Sequence, residues 1–343
     1  MVELILMIAI LSSFILSAVF IPRWIIKCKR IGLLWEDMNK MGHPQNVASS
    51  GGVVVVMSFI LGVLFYIAIR TFIIQVNEIA LNVFALLSVI LIFAVVGLID
   101  DLLGWKHGGL SAMFRVFLAL MASIPLVVIN AGTHFINTPF GPIQLGIIYP
   151  LVFIPLGIAG AAVTYNFLAG FNGLEAGQGI IILSFLSFVA YATGSSWLSV
   201  IGLCMVASLM VFYYYNRFPA KVFPGDIMTY SIGALIAGMA ILGNFERVAV
   251  FVFIPYIIEM GLKIRGRLKM QSFGLPDNNG GLKLPYQKIY GLTHLSIFIL
   301  SRFKKKVYEK DVVYLVFLFQ IIICLIALMI FRESIFLGVL GSE

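Results

Sequence analysis

Long apolar stretches dominate this sequence and leave little room for a water-soluble fold. A bilayer span needs about 20 mostly apolar residues, and its backbone must be hydrogen-bonded internally as a helix. Ten stretches approach or reach this length, at roughly 2–22, 47–69, 79–99, 113–131, 145–163, 179–193, 197–215, 227–243, 248–262 and 312–331. We therefore predict an all-α, polytopic integral membrane protein with about ten transmembrane helices.

Charged residues are scarce, which supports the same class. They make up 11% of the 343 residues, whereas soluble domains contain about a quarter. No polar segment is long enough to fold separately, so we predict a single domain over residues 1–343. The net charge of +8 then indicates membrane orientation and contact with anionic lipid or phosphate ligands, and not a nucleic-acid partner.

Alternation of the loops across ten spans separates the basic residues into two unequal groups. One set of loops comprises residues 23–46, 100–112, 164–178, 216–226 and 263–311. Together with Arg115, just inside the fourth span, this side holds 20 of the 23 basic residues, and the other side holds Arg70, Arg247 and Arg332. Because basic loops stay in the cytoplasm, we predict that the first set is cytoplasmic and that both termini are extracytoplasmic.

The pair Asp100 and Asp101 closes the third span, in GLIDDLLGWKHGGLSAMFR. Two adjacent carboxylates at a helix C-terminus repel each other and face the negative end of the helix dipole. One interpretation is a polar stop at the membrane interface. The other, which we favour, is a functional pair held near a cation, or with one carboxyl protonated until it acts as a base.

Two further polar groups belong to the same side. Asp226 follows Pro-Gly in PAKVFPGDIMTY, where it fits a helix N-cap and equally a Mg²⁺ ligand, since Mg²⁺ prefers a few oxygen ligands plus substrate phosphates. Asn166 opens the segment NFLAGFNGLEAGQG. That segment is either a flexible turn or a place where glycines let the backbone approach a ligand. It is no P-loop, because no GK[ST] follows.

A basic run follows the ninth span, in GLKIRGRLKMQSFG. Such a run is commonly a membrane anchor of the cytoplasmic side. Arg265 and Arg267, however, precede a long polar loop that is able to fold back over a site, and guanidinium groups suit bidentate phosphate contacts. Both interpretations stay open from the residues alone.

At these four clusters the sequence resembles a known enzyme family, the polyprenyl-phosphate N-acetylhexosamine-1-phosphate transferases. LAGFNGLEAGQ is nearly the signature of the eukaryotic and archaeal subgroup, which uses UDP-GlcNAc and dolichyl phosphate. The double Asp, the V-F-x-GD element and the R-x-R loop follow in the family's order and spacing. The resemblance covers most of the chain.

For catalysis, the resemblance implies that Asp100 and Asp101 are the catalytic pair, with Asp100 as the base for the lipid phosphate. Arg115 corresponds to a basic residue, usually Lys, that contacts the diphosphate. Asn166 and Asp226 correspond to the Mg²⁺ site, with Mn²⁺ as an alternative ion.

For the donor, the resemblance implies that Gly170 and Asn172 lie in the uridine-binding segment, with Glu175 among the nucleotide- and sugar-binding residues. Arg265 and Arg267 correspond to the loop that holds the diphosphate and the GlcNAc. The chain departs from the family pattern twice. Val163 replaces an Asn three residues before Asn166, and Gln45-Asn46 follows Pro44 where eukaryotic relatives have P-E-S, which removes a carboxylate near the nucleotide.

The expected function is Mg²⁺-dependent transfer of GlcNAc-1-phosphate from UDP-GlcNAc to a dolichyl or polyprenyl phosphate, which releases UMP. This would be the first membrane step in assembling a lipid-linked glycan of the N-glycosylation type, in the plasma membrane of a prokaryote or the endoplasmic reticulum of a eukaryote. Two alternatives stay open, namely another UDP-N-acetylhexosamine donor and a transporter of a phosphorylated solute. A homodimer is a further alternative to a monomer.

Overall fold

The structure, a computed structural model, describes residues 2–133, 135–138, 141–277 and 280–340. It is mostly helical, as the sequence predicts, because each apolar stretch meets its backbone hydrogen bonds within a helix. The helices are α1 Val2–Ile31, α2 Gly52–Ile69, α3 Ala80–His107, α4 Ala112–Ala122, α5 Ile124–Val128, α6 Ile154–Tyr165, α7 Leu174–Ala192, α8 Ser196–Asn216, α9 Asp226–Gly243, α10 Glu246–Val252, α11 Ile254–Arg265, α12 Leu292–Phe303, α13 Glu309–Ile330 and α14 Arg332–Leu340. Short π-helical segments cover Arg70–Ile74 and Tyr149–Phe153.

Seven helices in the described part of the chain are long and apolar enough to cross a membrane: α1, α2, α3, α7, α8, α9 and α13. They match seven of the ten predicted stretches, and the protein is a multi-pass integral membrane protein. Two shorter apolar helical segments, Ala112–Val128 and Tyr149–Tyr165, coincide with the fourth and fifth stretches. The ninth stretch is divided between α10 and α11, so the total of ten spans stays a prediction.

Prolines explain the division of two apolar stretches. Pro125 lies in the first turn of α5, directly after α4, and Pro255 lies in the first turn of α11, directly after α10. A proline lacks the backbone N–H that would continue the preceding helix, whereas it is well tolerated in a first turn. At the second break the buried Gln320 amide of α13 donates to the Val252 carbonyl at 2.9 Å, which compensates for the interrupted helix.

Helix α9 is the most deeply buried of the seven long helices and packs against α3, α6 and α2. Close approach depends on glycines. At Gly97 of α3 a Cβ would contact the backbone of Ile227, and at Gly233 of α9 a Cβ would contact the backbone of Ala162 in α6. Small residues let membrane helices pack backbone to backbone. This packing brings the start of α9 beside the end of α3.

Three short antiparallel hairpins, which the all-α expectation did not include, connect helices. They pair β1 Leu34–Glu36 with β2 Gln45–Ala48, β3 Phe135–Thr138 with β4 Gly141–Gln144, and β5 Leu275–Pro276 with β6 Leu282–Lys283. The first hairpin is joined to the segment before α9, because the Phe223 N–H donates to the Ala48 carbonyl at 2.8 Å and the Gly51 N–H donates to the Phe223 carbonyl at 2.8 Å. These bonds fix the loop that precedes Asp226.

Candidate active site

Asp101 caps α9 from the neighbouring helix α3. Its Oδ1 accepts a hydrogen bond from the Asp226 N–H at 2.7 Å, and a carboxylate is favourable at the positive end of a helix dipole. Gly225, between Pro224 and Asp226, has φ 71°, and a Cβ there would collide with the Asp101 carboxylate. The Pro-Gly-Asp sequence therefore starts α9 so that the Asp226 side chain is free for other contacts.

Asp100 faces a different partner. It is buried, with 5% of its surface exposed. Its Oδ1 accepts from the Leu110 N–H at 2.6 Å, and its Oδ2 lies 3.4 Å from Arg115 Nη1. Arg115 lies in the first turns of α4, whose N-cap Ser111 accepts from the Phe114 N–H. The same Nη1 lies 4.0 Å from Asp226 Oδ2, so one guanidinium faces two carboxylates.

Asn166, at the C-terminal end of α6, completes this group. Its Nδ2 donates to Asp226 Oδ1 at 3.1 Å, and its Oδ1 accepts from the Thr229 hydroxyl at 3.0 Å. Thr229 lies one turn after Asp226 on α9 and was not predicted as a site residue. A threonine inside an apolar helix gives no sequence signal for such a contact.

A cavity of about 300 Å³ opens at this point. It brings together the predicted residues Asp100, Asp101, Arg115, Asn166, Gly170, Glu175 and Asp226. Other walls come from the first hairpin with Trp35, Glu36, Asp37 and Met38, from the segment before α9 with Phe223, and from Phe273. The residues lie at the ends of α3, α6 and α9 and in adjoining loops, so the cavity is at one end of the helix bundle.

The donor set fits a divalent cation. Asp100 and Asp226 face the Arg115 guanidinium, and Asp101 lies beside them in the same cavity. Asp101 Oδ2 is buried without a hydrogen-bond partner, which is costly unless a cation or ligand compensates. Across the described residues, no three His, Cys, Asp or Glu side chains are grouped so that they could hold a metal ion by themselves. Mg²⁺ suits this arrangement, because it binds few carboxylates and takes further oxygens from phosphates and water.

The glycine-rich loop after α6 forms a second wall. Gly170 has φ 102°, and a Cβ there would meet the ring of Phe273. Its N–H donates to Glu175 Oε1 at 2.8 Å, so Glu175 supports the loop from the first turn of α7. Asn172 is buried and lies behind the wall, outside the cavity lining described above. Its Nδ2 donates to Asp37 Oδ2 at 3.3 Å.

The basic run after the ninth stretch has two kinds of residue. Arg265 and Arg267 are exposed near the end of α11 and do not line the cavity as the structure has it, so their phosphate-binding role stays a prediction. Lys263, in contrast, is buried. Its Nζ donates to the Met270 carbonyl at 3.1 Å and to the Ser272 hydroxyl, and Glu259 lies 3.9 Å away. Lys263 therefore fixes the loop that carries Phe273.

The two departures from the family pattern lie at the edges of the site. Val163 is half-buried, three residues before Asn166. Gln45 and Asn46 are exposed on β2, and Gln45 pairs across the hairpin with Glu36, which lines the cavity. The first hairpin therefore still places a carboxylate at the cavity, that of Glu36, whereas residue 45 is a glutamine.

Comparison with known proteins shows the family of this chain. The structure is that of a multi-pass membrane protein with a cluster of carboxylates at one end of its helix bundle. Residues 83–244 match the family described as Glycosyl transferase family 4, a segment that runs from α3 to the end of α9. Together with a relative that is 35% identical over 86% of this chain, this match shows that the chain belongs to the family.

Individual relatives extend the match beyond that segment. A protein of Saccharolobus solfataricus is 35% identical over 86% of this chain and 88% of its own, and one of Sulfolobus acidocaldarius is 31% identical over 87% and 89%. Both are provisionally named UDP-N-acetylglucosamine–dolichyl-phosphate N-acetylglucosaminephosphotransferase. A phospho-N-acetylmuramoyl-pentapeptide-transferase of Streptococcus thermophilus is 27% identical over 74% of this chain and 76% of its own.

Proposed function

We propose that this protein transfers N-acetylglucosamine-1-phosphate from UDP-GlcNAc to a polyprenyl phosphate of the dolichyl type. The observation that carries the proposal is the convergence of Asp100, Arg115, Asn166 and Asp226 in one cavity at the end of an apolar helix bundle. Phosphoryl transfer needs positioning and neutralisation of negative charge more than covalent chemistry from the protein. The names of the two archaeal relatives support the choice of donor and acceptor.

In the proposed reaction, a phosphate oxygen of the lipid attacks the β-phosphorus of UDP-GlcNAc. The bond between that phosphorus and the oxygen bridging to the α-phosphate breaks, and UMP leaves with the bridging oxygen. The product is a GlcNAc-diphosphate-lipid. Direct attack and attack through an aspartyl-phosphate transfer the same atoms.

Three residues of the chain have separate roles in the proposed reaction. Asp100 Oδ2, which has an ion pair with Arg115 and no hydrogen bond, is the carboxylate best placed to take a proton from the lipid phosphate. Arg115, with its side chain 35% exposed, neutralises charge on the diphosphate. Asp101, whose Oδ1 is already engaged by the Asp226 N–H, positions Asp226.

A divalent cation, Mg²⁺ or in its place Mn²⁺, would be held by Asp226 and Asn166 together with phosphate oxygens. When bound, it would supply neutralisation of the charge that develops on the leaving phosphate. The Asp101 Oδ2, which is buried without a hydrogen-bond partner, supports a cation nearby. The Thr229 hydroxyl orients the Asn166 amide.

An apolar groove supports a membrane-embedded acceptor. The groove is lined by residues of α4, α5 and the start of the fifth apolar segment, among them Leu120, Ile124 and Leu151. Leu120 lies on α4, the helix that also carries Arg115. An isoprenoid chain could lie along these apolar side chains while its phosphate reaches Arg115. The basic residues of loops at this end support a cytoplasmic location of the site, with both termini outside.

The test is incorporation of radiolabel from UDP-GlcNAc into lipid by the purified protein in detergent, with dolichyl phosphate and Mg²⁺. We expect labelled lipid from the wild type and an at least hundredfold loss in Asp226→Ala and Asp100→Asn. Glu333→Gln, which alters an exposed carboxylate on α14, is the matched control and retains activity. The absence of labelled lipid from the wild type, or full activity in both site variants, contradicts the proposal.

The identity of the sugar needs a donor panel. The relative from Streptococcus thermophilus is named a phospho-N-acetylmuramoyl-pentapeptide-transferase, whereas the LAGFNGLEAGQ segment is similar to the GlcNAc subgroup. UDP-GlcNAc is therefore expected to give more product than UDP-GalNAc or UDP-MurNAc-pentapeptide. A higher rate with either of the other donors reassigns the substrate and leaves the phosphoryl transfer intact.

A further inference from the structure

Both backbone polar groups of Gly170 are held by side chains from different parts of the chain. The N–H donates to Glu175 Oε1 at 2.8 Å, and the carbonyl accepts from Asn39 Nδ2 at 2.7 Å. Gly170 has φ 102°, which glycine tolerates, and the Phe273 ring occupies the space that a Cβ would need. The cavity wall at this point is therefore fixed by one contact within its own segment, through Glu175, and by one from a distant segment, through Asn39.

Asn39 links three segments of the cavity wall. Besides the Gly170 carbonyl, its Oδ1 accepts from the Gly274 N–H at 3.0 Å, next to Phe273. Its neighbours in sequence, Asp37 and Met38, line the cavity. Asn39 itself is only 6% exposed and is not among the lining residues. One buried amide thus joins the first hairpin loop, the glycine-rich loop and the loop before α12.

Glu309 extends this connection to the last long helix. Glu309 lies at the start of α13 and is 4% exposed. Its Oε1 accepts hydrogen bonds from the Asn172 N–H at 2.7 Å and from Asn39 Nδ2 at 3.4 Å. The Asn172 side chain is held in turn by Asp37, which also pairs with Lys40. Buried hydrogen-bonded networks of this kind fix geometry strongly, because each lost partner leaves another polar group unsatisfied.

We propose that Asn39 and Glu309 are positioning residues of the nucleotide pocket, which set the distance between the glycine-rich loop and the Phe273 wall. The proposal rests on the proposed function, since it assigns the nucleotide to this wall. Neither side chain needs to touch the substrate. Loss of either one lets the Gly170 and Asn172 backbone relax, which weakens donor binding while the carboxylates and Arg115 stay in place.

The experiment measures kcat and KM separately for UDP-GlcNAc and for dolichyl phosphate. Asn39→Ala and Glu309→Ala are expected to raise the KM for UDP-GlcNAc by roughly tenfold, which corresponds to about 1.4 kcal/mol, with the KM for dolichyl phosphate within twofold of the wild type. Glu309→Gln keeps the accepting oxygen and is expected to restore the wild-type KM. Gln271→Ala removes an exposed amide from the loop before α12, which Asn39 contacts at Gly274. This variant serves as the control.

Calorimetric binding of UMP to the same variants provides a readout that does not depend on turnover. Weaker binding in both alanine variants, with binding restored in Glu309→Gln, supports the positioning role. An unchanged KM and UMP affinity in well-folded Asn39→Ala, or an equal loss in Glu309→Gln and Glu309→Ala, overturns it. If Asn39→Ala does not fold, the Glu309 pair decides. Failure of the wild type to form labelled lipid contradicts the proposed function instead, which is a distinct result.

Discussion

The carboxylate of Asp101 accepts a hydrogen bond from the backbone N–H of Asp226 at 2.7 Å, across the contact between α3 and α9. This bond links the double Asp to the first residue of the most buried helix. It distinguishes the two adjacent carboxylates, since Asp101 is engaged in holding a helix start while Asp100 faces Arg115. Two residues that look alike in sequence therefore have different tasks.

Replacing Asp101 separates these tasks. Asp101→Asn retains an accepting oxygen for the Asp226 N–H, whereas Asp101→Ala removes the cap, which typically costs about 1 kcal/mol. We expect a lower melting temperature in detergent for Asp101→Ala than for Asp101→Asn. Asp100→Asn, in contrast, is expected to abolish lipid labelling at nearly wild-type thermal stability. Equal melting temperatures for the two Asp101 variants would contradict the capping role.

Arg115 is expected to act through its position over two carboxylates, at 3.4 Å from Asp100 and 4.0 Å from Asp226. Arg115→Lys keeps a cation but not the planar fork, so activity should fall by roughly tenfold. Arg115→Met keeps the apolar stem and removes the charge, and activity should fall by at least a further tenfold. Initial rates at saturating UDP-GlcNAc measure the activity of both variants. Equal rates for the Lys and Met variants would show that the charge at position 115 has no role.

Gly225 tests the turn that starts α9. Gly225→Ala combines an unfavourable positive φ with a collision against the Asp101 carboxylate, so we expect loss of both activity and thermal stability. Gly194→Ala is a matched control, because Gly194 has φ +84° and no atom within 4 Å of its would-be Cβ. That variant should lose only about 1 kcal/mol of unfolding free energy, which is the backbone cost of a positive φ, and it should keep its activity. Comparable activity in the two variants would refute the steric part of the explanation.

Metal removal tests the proposed cation at the carboxylate cluster. Treatment with EDTA is expected to stop lipid labelling, and Mg²⁺ or Mn²⁺ is expected to restore it, because the three carboxylates leave negative charge that one guanidinium does not neutralise. Asp226→Asn should need a higher Mg²⁺ concentration for half-maximal rate than the wild type. Activity that persists in EDTA would exclude an exchangeable divalent cation from the reaction.

The sequence predicted much of the site because alternation of spans brings certain loops to one end of a bundle. Asp100, Asn166 and Asp226 follow from that reasoning, and the structure brings them into one cavity. The capping of α9 by Asp101 could not be predicted, since it depends on the close packing of α3 against α9 at Gly97. Thr229 also gave no signal, because a single threonine is common within apolar helices.

Contacts between residues distant in sequence could not be predicted either, because they also depend on how the helices and loops pack. Asn39 and Glu309 are 270 positions apart, and each alone looks like an ordinary polar residue next to a span. The basic run after the ninth stretch shows a different limit of prediction from sequence. Lys263 and Arg265 are two positions apart on α11, yet one is buried and the other exposed, because the helix turns them to different sides.

The central claim is that phosphate is transferred together with the sugar. UDP-GlcNAc that carries ³²P in the β-phosphate and ³H in the sugar tests it most directly, by separating lipid from aqueous products after incubation with dolichyl phosphate and the purified protein. We expect both labels in the lipid fraction at the ratio of the donor, with unlabelled UMP in the aqueous phase. Tritium in the lipid without ³²P, with labelled UDP released, would contradict the account.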